Sequence, residues 1–266
     1  MRKLLASCFV LFALAAAAAE DARPALRVCA DPDNLPYSRA DGAGFENRIA
    51  ELVAADFGLP LEYTWLPDRR GFVRKTMGAG LCDLIVGVPA GFERTLNTRS
   101  YYRSSYVLLQ RKGSDEEPLC GFDDPRLRRW RIGVQLVGDD LATSPPGYAL
   151  AAMGVTDNVV GFPIVGAQPA AARMVDALAR GELDAAFVWG PQAGYFAKAS
   201  AAPLQLQRIA PPQQVATQRF DFAIAMGVRR GDQALRDRLD AWLVRRHDAI
   251  ARILADYAVP LVEAQP

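Results

Sequence analysis

This sequence has little histidine, no C-x-x-C cysteine pair and almost no net charge. Its 266 residues contain one histidine, so a Ser-His-Asp or Cys-His site would have to use His247, and a His-rich zinc site cannot be built. The 31 basic residues nearly balance the 30 acidic ones, which removes the electrostatic reason to expect a nucleic acid as partner. Acyl transfer, zinc hydrolysis and nucleic-acid binding are therefore disfavoured.

Long apolar runs are scarce as well, and the one that stands out lies at the N-terminus. Arg2 and Lys3 precede an apolar run over residues 4–18, and residues 17–19 form a cleavage site of the A-x-A type. The run is shorter than the ~20 residues that a spanning helix needs. The pattern predicts a signal peptide over residues 1–19, export to the periplasm and no membrane span in the mature chain.

Three cysteines follow the predicted cleavage site, namely Cys29, Cys82 and Cys120. In an exported protein the default is a disulfide, and an odd number leaves one thiol over. No C-x-x-C spacing is present, so we expect no metal site in this chain.

Short apolar strands alternate with amphipathic helices in the rest of the sequence. Strand patterns cover residues 26–30, 61–66 and 84–88, with helix patterns between them. This alternation predicts a parallel sheet with right-handed crossovers. A second α/β unit begins after the polar residues 114–118, and Gly181-Glu182-Leu183-Asp184 repeats the Gly80-Leu81-Cys82-Asp83 pattern that precedes a strand in the first unit.

The C-terminal part returns to the first unit, with a strand pattern over residues 220–228 and a closing helix over 235–257. The chain then crosses between the units twice, near residues 108–112 and 219–223. We predict domain 1 from residues 20–110 with 221–266, domain 2 from residues 111–220, and a cleft beside a two-segment hinge.

Several short motifs, in this order along the chain, carry a resemblance to a known family. They are LRVCADP at 26–32, GFEN at 44–47, LEYTW at 61–65, RRGFVR at 69–74, GLCD at 80–83, GVP at 87–89 and VWGP at 188–191. Nearly all of the mature chain resembles the type II periplasmic solute-binding proteins of family 3, and within them the branch associated with quinoprotein methanol dehydrogenases. The resemblance implies a two-lobed α/β fold and a role without enzymatic activity.

The resemblance further implies an accessory factor that binds, and helps mature or activate, a PQQ-dependent methanol (alcohol) dehydrogenase. The implied partners are the large subunit of that enzyme and, as a second candidate, its cytochrome c. No cofactor is expected in this chain, whereas PQQ and a metal ion are expected in the partner. Two alternatives stay open: a transporter's receptor for a small organic ligand, and a dehydratase on the same scaffold with Glu46 or Asp31 as general acid.

The resemblance also shows which amino-acid contacts are missing. An amino-acid binder of this fold pairs the ligand carboxylate with an arginine just after the third strand, and Arg94 stands at about this position. The aspartate that would pair with the ligand ammonium is replaced by Trp189-Gly190-Pro191. A buried ammonium without a counter-charge would cost several kcal/mol, so ordinary amino-acid transport is disfavoured.

The candidate cleft residues lie at or beside strand-to-helix turns, where α/β sheets bind ligands. They are Asp31, Asn34, Tyr37, Phe45, Glu46, Val88, Pro89, Arg94, Tyr101, Tyr102, Trp189, Gly190 and Pro191. The aromatic members suit a large apolar ligand or a protein segment with hydrophobic anchors, although single rings could equally belong to the core.

Two further features have two interpretations each. In this fold the first and third strands are adjacent, which makes Cys29 and Cys82 a candidate disulfide, while their offset along the strands argues against it and Cys120 would be left over. The charged cluster from Asp68 to Lys75, which contains Arg74, is either an interaction patch or a solvated helix start.

Overall fold

The computed structural model describes residues 23–113, 117, 119, 121–137, 142–166 and 168–263. The predicted signal peptide and Cys120 lie outside the described residues. Within these ranges, no helix is long and apolar enough to cross a membrane.

The first lobe is built from the N-terminal part of the chain together with the C-terminal helices. Its N-terminal elements are β1 (Leu26–Ala30), β2 (Asp33–Asn34), β3 (Ser38–Arg39), α1 (Phe45–Phe57), β4 (Leu61–Trp65), α2 (Phe72–Lys75) and β5 (Leu84–Pro89). The long strand β6 (Leu96–Arg111) follows, and the chain later returns through β12 (Asp221–Val228), α6 (Gln233–Arg245) and α7 (His247–Asp256).

The second lobe lies between β6 and β12 in the sequence. Its elements are β7 (Ile132–Val137), β8 (Ala142–Thr143), α3 (Pro145–Ala152), β9 (Val159–Pro163), α4 (Ala170–Ala179), β10 (Ala185–Trp189), α5 (Gly190–Ala199) and β11 (Leu204–Arg208).

The long strand β6 belongs to both lobes. In the first lobe the strand order is β4-β1-β5-β12-β6, with β1 parallel to β4 and β5 and with β12 antiparallel to its neighbours. In the second lobe β6 pairs with β10 and β11, and β10 continues the sheet to β7. Pairing with β12 ends at Ser105 and pairing with β10 begins at Tyr106. The pairing partner of β6 therefore changes from the first lobe to the second between Ser105 and Tyr106.

The C-terminal helices pack on the first lobe, as the sequence pattern predicts. Trp242 of α6 is fully buried in a core with Leu26, Phe45 and Ile49, and its indole N–H donates to Asp56 at 2.7 Å. The predicted single closing helix is instead two helices, because the backbone leaves helical geometry at Arg246. The domain boundaries stay a prediction.

The repeated Gly-x-x-Asp pattern forms the same turn in both lobes. Gly80 and Gly181 have positive φ angles of 75° and 74°, a conformation that glycine adopts without steric cost. The amide N–H of Asp83 donates to the carbonyl of Arg27 at 2.8 Å, and that of Asp184 donates to the carbonyl of Arg131 at 3.0 Å. Each aspartate thus directly precedes a strand that pairs with a neighbouring strand of the same lobe, β5 with β1 and β10 with β7.

The candidate disulfide is present in the structure. Cys29 of β1 and Cys82 in the turn before β5 are bonded, with their Cα atoms 5.6 Å apart. The offset of the two cysteines along their strands does not prevent the bond, because their Cα separation lies within the range that a disulfide requires. The bond is buried with Phe72, Met77 and Ile85 under the first lobe.

Candidate functional site

A pocket of about 160 Å³ lies where the C-terminal end of β5 faces the end of β10 from the other lobe. Its lining consists of Asn34, Tyr37, Glu46, Asp68, Gly87, Val88, Pro89, Tyr102, Trp189 and Ile224. All but Trp189 belong to the first lobe, so the pocket is an interlobe site with one aromatic residue from the second lobe.

The GFEN motif explains how the loop after β1 is held in place. The side-chain oxygen of buried Asn47 accepts from the amides of Arg39 and Gly44, both at 3.0 Å. A Cβ at Gly44 would lie 2.0 Å from the carbonyl oxygen of Tyr37, so only glycine allows this approach. The amide of Glu46 donates to the same carbonyl at 2.8 Å, which sets Tyr37 and Glu46 side by side in the pocket.

A second glycine makes room for the Glu46 side chain. A Cβ at Gly87 would lie 2.0 Å from Oε1 of Glu46 and 3.0 Å from its carboxyl carbon. The carboxyl group therefore rests against the backbone of β5, at a point where any larger residue would displace it. This contact assigns a function to Gly87 within the GVP motif.

The two acidic side chains of the pocket have raised pKa values. Burial, with a smaller effect of the Asp68 charge, raises the pKa of Glu46 from 4.5 to about 8. Although residue Asp68 as a whole is exposed, desolvation of its carboxyl group and the charge of Asp31 raise its pKa to about 6. At neutral pH Glu46 is therefore mostly protonated and can donate a hydrogen bond, while Asp68 is mostly ionised.

Three aromatic residues also line the pocket, namely Tyr37, Tyr102 and Trp189. The ring of Trp189 lies 5.3 Å from that of Tyr106 and 5.7 Å from that of Phe222. Burial raises the pKa values of Tyr37 and Tyr102 well above their usual range, so both hydroxyls stay protonated. Trp189 therefore contacts the first lobe and the strand-crossing region at once.

In the part of the chain that the structure describes, no cationic side chain lines the pocket. Glu46 has no hydrogen-bonding or cationic partner among the groups that shift its pKa. Such a pocket can accept apolar groups and hydrogen-bonding or cationic groups, but it has no counter-charge for a carboxylate. Among the described residues, no group of three or more His, Cys, Asp or Glu side chains could hold a metal ion.

Seven of the thirteen predicted cleft residues line the pocket. They are Asn34, Tyr37, Glu46, Val88, Pro89, Tyr102 and Trp189. Asp31 lies beside them, because its Oδ2 accepts from the amide of Asp68 at 2.6 Å.

The other five predicted residues lie elsewhere. Phe45 is fully buried in the core of the first lobe, and the hydroxyl of Tyr101 donates to the carbonyl of Val86 at 3.1 Å. Gly190 and Pro191 are buried at the start of α5, where a Cβ on Gly190 would meet Ser104 at 2.5 Å. These four residues have packing roles in the structure.

Arg94 does not line the pocket. It is exposed in the segment between β5 and β6, in a groove that also contains Arg229 and Arg230. Those two residues directly follow Val228, which pairs with Leu84 at the start of β5. Arg94 therefore lies near the end of the sheet opposite to the pocket.

Sequence reasoning missed Asp68, Gly87 and Ile224 as pocket residues. Asp68 follows β4, whose C-terminal end lies beside that of β1, so its position after a parallel strand was a usable signal. Ile224 pairs with Pro89 across β12 and β5, a contact that only the antiparallel register reveals.

Comparisons with known proteins give consistent relatives. The chain is 32% identical to Protein MoxJ of Methylorubrum extorquens over 92% of this chain and 85% of that protein. The crystal structure of periplasmic binding protein XoxJ from Methylobacterium extorquens AM1 is 35% identical, with a TM-score of 0.74 over 90% of this chain and 100% of the other. That of MxaJ from Methlophaga aminisulfidivorans MPT is 25% identical, with a TM-score of 0.78 over 89% and 100%.

These relatives confirm the predicted fold class, that of the two-lobed periplasmic binding proteins. No model of a known protein family matches the chain.

Proposed function

Because the chain belongs to the family of the proteins named MoxJ, MxaJ and XoxJ, we propose that it is a periplasmic accessory factor built on a solute-binding-protein scaffold. It binds a PQQ-dependent methanol (alcohol) dehydrogenase and helps this enzyme mature or become active. The partner is the large subunit, with its cytochrome c as the second candidate. PQQ and its metal ion, calcium or a lanthanide, belong to the dehydrogenase, and this chain binds without catalysing a reaction.

The observation that supports this proposal is the chemistry of the interlobe pocket. Aromatic rings and a protonated carboxyl group line it, and none of the described residues lining it is cationic. An amino-acid carboxylate would lose its hydration there without gaining a guanidinium partner, which costs several kcal/mol. A protein segment can instead offer an apolar or aromatic anchor together with backbone or side-chain donors. The pocket therefore fits a protein partner better than a free amino acid.

A pull-down with the cognate dehydrogenase tests the proposal. The mature protein is immobilised and offered the enzyme both with and without its cofactors. We expect association, and we expect Trp189→Ala to reduce the recovered enzyme at least tenfold, since Trp189 is the residue that the second lobe supplies to the pocket. Tyr148→Ala is the matched control, because Tyr148 is an exposed aromatic residue on α3 and does not line the pocket.

Two results would contradict the proposal. One is that neither form of the dehydrogenase associates with the wild-type protein. The other is that both variants retain the enzyme equally, which would remove the pocket from the interaction. Circular dichroism of both variants ensures that a loss of binding is not a loss of folding.

The raised pKa of Glu46 favours one second candidate, a dehydratase. A carboxyl group with a pKa of about 8 is protonated at neutral pH, as a general acid must be. Prephenate and arogenate are the substrates to test, with Glu46→Gln as the variant that should abolish turnover. Against this candidate, the described lining of the pocket offers no cationic side chain to the substrate carboxylates.

A transporter's receptor is tested by a thermal-shift screen of small organic ligands. A ligand present at 100 times its Kd should add about 2.7 kcal/mol to the free energy of unfolding.

A further inference from the structure

A second concave surface lies on the first lobe, away from the interlobe pocket. It encloses about 510 Å³, and we call it the basic groove. Its lining consists of Val73, Arg74, Met77, Gly78, Arg94, Arg229 and Arg230. Four of these seven residues are arginines and none is acidic, whereas the whole chain is close to neutral with a formal charge of +1.

Three separate segments bring these arginines together. Arg74 belongs to α2, Arg94 to the segment between β5 and β6, and Arg229 with Arg230 to the turn after β12. The turn after β12 lies at the level of Leu84, and the interlobe pocket at the level of Pro89. Five residues of strand separate these levels, which is roughly 16 Å. The two sites are therefore at opposite ends of one sheet and share no residue.

The four arginines of the basic groove differ in their contacts within the protein. Arg229 pairs with Asp83, which also binds Arg27, and Arg230 donates to the carbonyl oxygen of Glu93. Arg74 and Arg94 are exposed, and neither has a hydrogen-bond or ion-pair partner within the described part of the chain. Two guanidinium groups are thus free to bind a ligand, beside two that are held in place.

The floor of the groove is apolar. Met77 is buried next to the disulfide, and Val73 is half-buried at the edge of the same cluster. Guanidinium groups bind carboxylates through two parallel hydrogen bonds, and an apolar floor can take up a hydrophobic side chain between them. A single small anion would use the charges but not the floor.

We propose that the basic groove is a docking site for an acidic peptide segment of a protein partner, with Arg74 and Arg94 binding its carboxylates. Charge complementarity of this kind raises the association rate and selects the partner. The charged cluster identified in the sequence thus supplies one residue, Arg74, to a surface that the fold completes with Arg94. This docking site does not depend on the function proposed for the interlobe pocket.

Fluorescence anisotropy tests the docking site with a defined probe. The probe is a fluorescein-labelled peptide that carries two glutamates on each side of a leucine, added to the mature protein at 20 mM salt. We expect saturable binding, a Kd at least tenfold weaker in R74A/R94A, and a marked weakening at 200 mM salt, where exposed charges are screened. R245A/R252A is the control, since both of its arginines are exposed on α6 and α7 and the same charge is removed.

Several results would overturn the docking site. The first is that the wild-type protein does not bind the peptide, and the second is that the control variant weakens binding equally. The third is that a peptide with alanine in place of leucine and glutamate still binds. Vesicles of phosphatidylglycerol, added in a parallel arm, would point to a membrane surface if they bind the wild type while the peptide does not. Both double variants must keep the thermal midpoint of the wild type. We expect this result because all four substituted arginines are exposed.

Discussion

Glu46→Gln should remove a pH dependence from the stability of the protein. In the wild type, burial raises the pKa of Glu46 from 4.5 to about 8. Between these pH values the folded state holds a proton that the unfolded state has released, so stability falls as the pH rises from about 5 to about 8. Glutamine has the same shape as the protonated acid and does not titrate, and therefore the variant lacks this loss.

The size of the effect follows from the two pKa values. At about 1.4 kcal/mol for each pH unit, the interval from 4.5 to about 8 sets an upper limit of about 5 kcal/mol. Glu46 is half-buried at the pocket, and contact with solvent reduces this limit, so we expect about 2 kcal/mol. For a chain of this size, that difference shifts Tm by about 5 °C.

Thermal unfolding of the two proteins at pH 5, 6.5 and 8 measures the effect. Both should have similar Tm values at pH 5, and Glu46→Gln should be about 5 °C more stable than the wild type at pH 8. Glu51→Gln is the control, because Glu51 is exposed on the same helix and the substitution removes the same charge. If the Tm values of the wild type and Glu46→Gln changed with pH in parallel, the environment assigned to Glu46 would be wrong.

Two more substitutions test the packing around the pocket and the disulfide. Gly87→Ala places a Cβ 2.0 Å from Oε1 of Glu46, and urea unfolding should show a loss of about 1–3 kcal/mol; an unchanged midpoint would contradict the close contact. Cys29→Ser with Cys82→Ser opens a loop of 53 residues and should cost about 2–4 kcal/mol in urea unfolding without reductant. Equal midpoints of this double variant and the wild type would show that the disulfide does not stabilise the fold.

The parts of the fold that sequence predicts well are those with local signals. The strand pattern at Leu26–Ala30 and the apolar run at Ala185–Trp189 both match strands of the structure, because buried central strands are continuously apolar. Gly58 ends α1 in a left-handed conformation, as a glycine after an amphipathic helix predicts. The return of the C-terminal helix to the first lobe also follows from its apolar face.

The strand β6 lacks such a signal, although it is the longest strand and joins the lobes. Its first half is rich in arginine, serine and tyrosine and forms an edge of the first-lobe sheet, and the continuous aliphatic run in its second half is only three residues long, from Val107 to Leu109. The pocket contribution of Asp68 is only partly signalled, by its position after the parallel strand β4. It depends on the path of the chain after β4, which places Asp68 beside Asp31 through a contact between a backbone amide and a carboxylate.

Arg94 lies in the basic groove and not in the interlobe pocket. In an amino-acid binder of this fold, the arginine after the third strand faces the cleft and holds the ligand carboxylate. Here the chain leaves the pocket at Pro89, packs Phe92 against the apolar cluster that contains the disulfide, and begins β6 at Leu96, which pairs with Val228. This path carries Arg94 to the far end of the sheet and into the basic groove. The position of Arg94 therefore adds a guanidinium group to the basic groove and leaves the pocket without this one.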